Sequence, residues 1–368
     1  MDKPTSTSTQ GRLRLERYIR AFVGIVISVF LLWRIYNVII VQQDFGADTW
    51  VRFALSGLIL GGMYALIAIG YTLVYGIMFM INFAHGEVMM LGAFGGFFIF
   101  EVLRFIPAPT SANPELNFLN AQPFLSVLLA FLVGIFISAM AGYFLEKIAY
   151  RPLRKAPRLI LLITAIGASI ALQNLAMLLF GPQRKNVVNP DILDRSAGWI
   201  VTVSGNEVLV PYTGIFSLAL SALLMIGLYI LVQRTKLGRA MRAVAQDKNT
   251  AFLMGVDVDN VISKTFIISG ALAGAAGVMW GIHMGLVNHY TGFLPGIKAF
   301  TAAVMGGIGN IPGAMLGGIL LGVIEAIGPA GLGIDFQLKD VIAFSILVLV
   351  LIVRPSGILG EKLSEEKL

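Results

Sequence analysis

Six consecutive residues, Asn82-Phe83-Ala84-His85-Gly86-Glu87, place an amide, an imidazole and a carboxylate inside the glycine-rich and largely apolar run from Gly57 to Gly96. Ionisable groups in or beside a membrane span are costly, so their presence there points to a role. An imidazole and a carboxylate two residues apart can relay a proton or share a metal. A metal site needs three or four ligands. The other two histidines, His283 and His289, fall toward the opposite membrane face in the topology set out below. Metal binding is therefore not the reading. Two readings stand side by side: Asn82 and His85 cap the ends of a broken helix, or they touch a substrate. Glu87, close to a helix start, sits well with the positive end of the helix dipole and has a purely structural explanation. Asn82, His85 and Glu87 are the first candidates for a translocation path.

A second interruption lies in the segment 298–326, at Gly306-Gly307-Ile308-Gly309-Asn310-Ile311-Pro312-Gly313. Irregular backbone at membrane depth is tolerated only when it is buried in protein or faces water. Gly307, Gly309, Asn310 and Pro312 therefore join the candidates. Two interrupted segments in corresponding halves of a chain point to an inverted repeat with the substrate path between the halves. Glu325, Gln173 and Asn174 are polar residues in or near apolar spans and are weaker lining candidates. Thr164, Ser169 and Thr301 suit hydrogen bonds to neighbouring helix carbonyls.

A third region, Thr235–Asp259, is polar and basic. Gly238 is expected to break the preceding helix, and Arg239 and Arg242 lie three apart on one helical face. Asp247 or Asn249 can cap a second short helix carrying Ala251, Phe252, Leu253 and Met254, followed by Gly255. A short amphipathic helix of this kind fits a groove in a soluble subunit. A basic loop that merely anchors topology is the plainer reading of the same residues.

The elements that carry these motifs follow from composition. Of 368 residues, 57% are hydrophobic and only 13% charged, against about a quarter charged in an ordinary soluble domain. Mean hydropathy is +0.84. The apolar residues fall in blocks, each long enough for the ~20 residues of helix that cross a bilayer, and without the alternation of a transmembrane barrel. This predicts an all-α polytopic membrane protein of about 8–10 spans with two broken or re-entrant segments. Spans are expected at 51–77, 87–105, 123–145, 159–180, 214–232, 261–286 and 339–353, with two short helices or a re-entrant pair over 298–326. The net charge of +7 gathers in short loops, as positive-inside topology requires, and not in a nucleic-acid-binding surface. Lys147, Arg151, Arg154, Lys155 and Arg158 mark one cytoplasmic loop, and Arg234, Lys236, Arg239, Arg242 and Lys248 another. Residues 1–20 read as a cytoplasmic basic tail, 21–45 as an extra uncleaved N-terminal helix interrupted by Arg34, 46–355 as the membrane domain and 356–368 as a cytoplasmic C-terminal tail. Small-residue ladders such as Gly57/Gly61 and Gly318/Gly322 predict close helix packing.

The absences narrow the chemistry. There is no cysteine, so thiolate sites and disulfides are excluded. No G-x-x-x-x-G-K-[ST] phosphate loop occurs. No convincing nucleophile–base pair supports hydrolase chemistry, and no cofactor is called for. Energy from ATP would have to come through another polypeptide.

Several segments carry a family resemblance: Tyr64–Thr72, Val74-Tyr75-Gly76, Ile81–Val88, the 238–255 pattern Gly238-Arg239-Ala240-x-Arg242-Ala243 with Asp247, Ala251 and Gly255, the stretch Lys298–Val304 through Pro312-Gly313-Ala314, and Val353–Gly360. Together they resemble the permease subunits of ATP-binding-cassette importers for branched-chain amino acids, over about Gly57 to Gly360. Urea and short-amide permeases are similar. The resemblance implies a multi-pass protein of the inner membrane, in contact with lipid and built as related halves. It also implies a second homologous permease subunit, two cytoplasmic ATPases that engage the 238–255 loop, and a periplasmic substrate-binding protein. The first 45 or so residues have no counterpart in it.

Overall fold

A computed structural model describes residues 45–108, 117–154 and 156–360, with isolated positions between 29 and 38. The expected helix over 21–45 lies largely outside the described residues. Its described positions, 29, 30, 33, 34 and 36–38, are helical. There the Arg34 Nε donates to the Leu332 carbonyl at 2.9 Å, at the end of a later helix.

The chain runs α1 (Ala47–Met78), α2 (His85–Phe105), a one-turn α3 (Phe118–Ala121), α4 (Pro123–Phe144) and α5 (Arg158–Phe180). A short strand β1 (Lys185–Asn186) and a hairpin, β2 (Gly198–Val203) with β3 (Asn206–Pro211), precede α6 (Tyr212–Arg234). Then come α7 (Lys236–Gln246), α8 (Lys248–Leu253), α9 (Val258–Met284), β4 (Leu286–Val287), α10 (Phe293–Gly306), α11 (Ile311–Leu332) and α12 (Lys339–Val353). Among the described residues, eight helices are long and apolar enough to cross a membrane, and α10 is a shorter apolar helix. This is an all-α polytopic membrane protein. Its spans sit within a few residues of those expected, with the largest departures at α1, which starts at Ala47, and at the 298–326 pair, which runs from Phe293 to Leu332.

The core is a set of helices held at glycine distance, because lipid offers no hydrophobic drive for helices to associate and close contact must supply it. In α1, a Cβ at Gly61 would stand 2.8 Å from the Ile319 Cα, and one at Gly57 2.8 Å from the Val323 Cα, so α1 and α11 meet backbone to backbone. A second contact joins α2, α4 and α9. There the Ser138 hydroxyl of α4 donates to the Val88 carbonyl of α2 at 2.8 Å, beside Gly92 and Gly274. By contrast α5, α6 and α12 bury little of their surface within this chain.

The loop 181–211, expected only as a connection, contains the hairpin. Its turn residues Ser204 and Gly205 both have positive φ, 52° and 88°, the pairing that suits the twist of a two-residue hairpin. The Asp48 carboxylate accepts from Asn206 at 3.2 Å, and Arg52 donates to the Glu207 carbonyl, tying the hairpin to the start of α1.

Two of the long helices end alike, and neither end is at the glycine-rich 306–313. α1 ends on Phe79 in the left-handed region (φ 53°), and α2 then starts at His85. α9 ends on Gly285, also left-handed (φ 72°), and α10 then starts at Phe293. The two new helix starts touch: Gly86 packs on Gly292 and Gly296. Segments 79–84 and 285–292 thus deliver the starts of α2 and α10 against one another. The glycine-rich 306–310 is instead the tight turn between α10 and α11, with Gly307 at φ 112° and Gly309 at φ 95°.

Candidate functional site

The kernel folds back into the bundle. His85 stacks edge-on against Tyr71, with ring centroids 4.9 Å apart, and lies in the space left by Gly70. Gly70 is eight residues before the end of α1, so the six-residue segment 79–84 climbs back about 12 Å along that helix. Asn82, His85 and Glu87 are all buried.

Their partners differ from those expected. The N-cap position of α2 is Ala84, and no side chain caps it. The first amides are satisfied by backbone: His85 donates to the Asn82 carbonyl at 3.0 Å, and Glu87 and Val88 donate to Ala84 at 3.1 Å each. Asn82 is therefore not a cap. Its Oδ1 accepts from the Tyr150 hydroxyl at 2.6 Å, with both groups buried. The Glu87 Oε1 accepts from Gln173 Nε2 at 2.7 Å and from Ser169 Oγ at 3.3 Å, both on α5. Ser169 thus serves a carboxylate and not a helix carbonyl, whereas Thr164 and Thr301 bond carbonyls four residues back. Among the described residues the Glu87 Oε2, His85 Nε2 and Thr72 Oγ1 are buried without a hydrogen-bond partner.

Gly307, Gly309, Asn310 and Pro312 form a different place. The Asn310 side chain accepts from Gly313 N–H at 3.1 Å, capping α11, and donates to the Leu359 carbonyl at 2.9 Å. Residues 357–360 lie over Gly307, and Ile358 and Leu359 donate to the Met305 and Gly306 carbonyls at 2.9 and 2.8 Å. These bonds satisfy carbonyls that the end of α10 leaves without intrahelical partners. The structure does not bring the 307–312 turn together with the kernel through any of these contacts.

The 235–259 loop is two helices. The break after α6 falls at Thr235 and not at Gly238: the Thr235 hydroxyl caps α7 by accepting from Gly238 N–H at 3.1 Å. Gly238 lies in the first turn, against the Leu231 and Val232 carbonyls, and Arg242 donates to the same Val232 carbonyl. Arg242 thus closes the C-terminus of α6, while Arg239 is exposed. Asp247 caps α8, accepting from Asn249 N–H at 2.8 Å and from the Thr250 hydroxyl at 2.5 Å. The Thr250 hydroxyl first, then the amides of Asn249 and Thr250, hold the Asp247 carboxyl below the usual carboxylate range. Ala251 is buried beneath α8. Gly255 ends α8 at φ 82°, where its N–H donates to Phe252 and the Val256 N–H to Ala251, at 2.9 and 3.0 Å. That pair of bonds is the Schellman stop, whose left-handed residue favours glycine. The outer face left by this fold is Phe252, Leu253 and Met254, exposed to 69, 82 and 79%.

Residues 53–351 match the family described as branched-chain amino acid transport system / permease component. The chain belongs to this family. Relatives extend over nearly their whole length. The high-affinity branched-chain amino acid transport system permease protein BraD of Pseudomonas aeruginosa is 47% identical over 311 residues, covering 84% of this chain and 96% of the relative. Permease protein LivH of Escherichia coli, of the same description, is 44% identical over 306 residues, covering 83% and 94%. The D-allose transport system permease protein AlsC of Escherichia coli is similar only locally, 34% identical over 122 residues, covering 32% of this chain and 36% of the relative. No solved structure gives a significant match.

Sequence reasoning about the permease missed two polar networks, one buried and one running from the buried Glu146 out to the exposed Asp259. In one, Glu325 of α11 accepts from Lys298 of α10 at 2.8 Å and from the Tyr64 hydroxyl of α1 at 3.0 Å. Lys298 also pairs with Asp340 of α12 at 2.7 Å. In the other, Glu146 accepts from Ser263 at 2.7 Å and pairs with Arg154, while Arg151 reaches Asp259 at 2.6 Å. Glu325 stood out in the sequence as a polar residue in an apolar span. Its partners Lys298 and Tyr64, 27 and 261 positions away, left no periodic signal.

Proposed function

We propose that this permease is the membrane subunit through which an ATP-binding-cassette importer moves branched-chain amino acids across the inner membrane. A periplasmic binding protein delivers the substrate to the outer mouth. A second, homologous permease completes the path, and two cytoplasmic ATPases hydrolyse ATP. The full-length relatives named for branched-chain substrates support the substrate class. The observation that carries the coupling is α8: a helix capped by Asp247 and stopped by Gly255 that presents Phe252, Leu253 and Met254 to solvent at the end of a charged loop. An exposed apolar face on a short rigid helix fits a groove in a soluble subunit. Closure of the ATPases would push on 239–253 and bias the permease between outward- and inward-open states. The re-entrant kernel with Asn82, His85 and Glu87 lies on the path in this reading, and the 307–312 turn flanks it.

The test is gentle solubilisation and affinity purification, then leucine and urea uptake in reconstituted vesicles. Two ATPases and a second permease should co-purify, with ATP-dependent uptake of leucine and not urea. Leu253→Asp should release the ATPases while the permease still folds. Recovery of this chain alone, with leucine uptake that needs no ATP, would overturn the proposal.

A further inference from the structure

We propose that the π-helical turn Leu145–Tyr150 at the end of α4 is the link between the ATPase-coupling loop and the re-entrant kernel, with Tyr150 as its positioning residue. This rests on the coupling role proposed for α8.

The argument follows bonded contacts. From the stop at Gly255 only Val256 and Asp257 precede α9, and Asp257 caps α9 by accepting from Asn260 N–H at 3.1 Å. In its first turn, Asp259 pairs with Arg151 at 2.6 Å and with Arg154. Arg154 also pairs with the fully buried Glu146, which takes the Ser263 hydroxyl of α9 at 2.7 Å. α8 itself packs against α9. The start of α9 and the 146–154 segment are therefore joined by charge-assisted bonds, of which Arg154–Glu146 and the Ser263–Glu146 bond are the ones shielded from solvent.

Tyr150 carries the clamp into the bundle. It is fully buried, its ring packs on Phe266 of α9 at 5.6 Å, and its hydroxyl donates to Asn82 at 2.6 Å. On the far side of the kernel the same helix reaches α2, where Ser138 donates to the Val88 carbonyl. α4 and its terminal turn thus grip the kernel before and after His85 and Glu87. The π turn matters because it carries one more residue per turn than an α-helix, and such turns recur at functional sites. The Asn82 side chain has no capping duty to keep it in place, so its tie to Tyr150 answers to displacement of α9. A shift imposed on α8 is delivered to Asn82 through Asp259, Arg154, Glu146 and Tyr150.

The experiment uses the complete reconstituted transporter and reads leucine uptake per ATP hydrolysed, with ATPase retention as the assembly control. Tyr150→Phe should keep the ATPases and their basal hydrolysis, while uptake per ATP falls about fivefold, as loss of one buried hydrogen bond from the transmitting state implies; Asn82→Ala, which removes the same bond from a residue on the path, should lower uptake per ATP by at least as much. The double variant should be no worse than Asn82→Ala alone, since both remove the same contact. Unchanged uptake per ATP in Tyr150→Phe, additive losses, or failure of both single variants to assemble would each overturn the inference. Leu253→Asp separates it from the coupling reading. If Leu253→Asp abolishes uptake and Tyr150→Phe does not change it, only the link falls. If Leu253→Asp keeps the ATPases and uptake, the coupling role falls and takes the link with it.

Discussion

The Glu325 network makes a quantitative prediction. Glu325, 3% exposed, receives Lys298 at 2.8 Å, Lys339 at 3.1 Å and the Tyr64 hydroxyl at 3.0 Å. Glu325→Leu keeps the volume and strands the buried ammonium of Lys298. Removing one member of a buried pair costs about 3–5 kcal/mol. The lower end applies here, because Lys298 keeps Asp340 at 2.7 Å and that carboxylate is 39% exposed to hydration. The orphaned Tyr64 hydroxyl adds about 1 kcal/mol, so the total is about 4 kcal/mol. Lys298→Met together with Glu325→Leu replaces the pair by apolar groups, which is often close to neutral, and should recover about 2–3 kcal/mol of that loss. The measurement is unfolding of the purified permease in mixed micelles of increasing denaturing detergent, followed by tryptophan fluorescence. A Glu325→Leu protein as stable as the parent, or a double variant less stable than Glu325→Leu alone, would refute the view that this network is an ion pair held by mutual need.

Three further outcomes follow from local geometry. Gly255→Ala places a Cβ at φ 82° and should destabilise the loop by about 1–2 kcal/mol, read as faster hydrogen exchange across 248–256 with the transmembrane helices unaffected. Asp247 is held below the ordinary carboxylate range, so its contribution to capping α8 is complete above that range and is lost as pH falls through the lowered value. Exchange protection of the α8 amides should drop on acidification in the parent, and Asp247→Asn should flatten that acid-side dependence. Gly61→Val forces a side chain into the Ile319 backbone, an overpacking cost of at least about 1–3 kcal/mol. It should lower the melting temperature of the purified permease more than Gly167→Val on α5, where a Cβ meets nothing within 4 Å.

Much of the architecture was legible in the residues alone. Hydrophobic blocks longer than a bilayer needs, and charges confined between them, defined the spans to within a few residues, because burial of backbone in lipid leaves helix as the solution. The break before His85 showed as a polar kernel that no lipid-facing helix would carry. The α8 cap was legible as Asp247 or Asn249, since capping is decided within a few residues, whereas the stop at Gly255 emerged only with the backbone, at φ 82°. Partners were not. That Asn82 would bond Tyr150, that Glu87 would take Gln173 and Ser169, and that Arg242 would fold back onto Val232 depends on which helices become neighbours, which no local period encodes. The contact between the starts of α2 and α10 was hidden for the same reason. The glycines of 306–313 look like a break and form a turn, whereas 285–292 looks like an ordinary connection and delivers α10 against Gly86. Local chemistry determined where helices start, stop and cross the membrane. The packing of one glycine face on another, many residues away in sequence, decided which side chains meet.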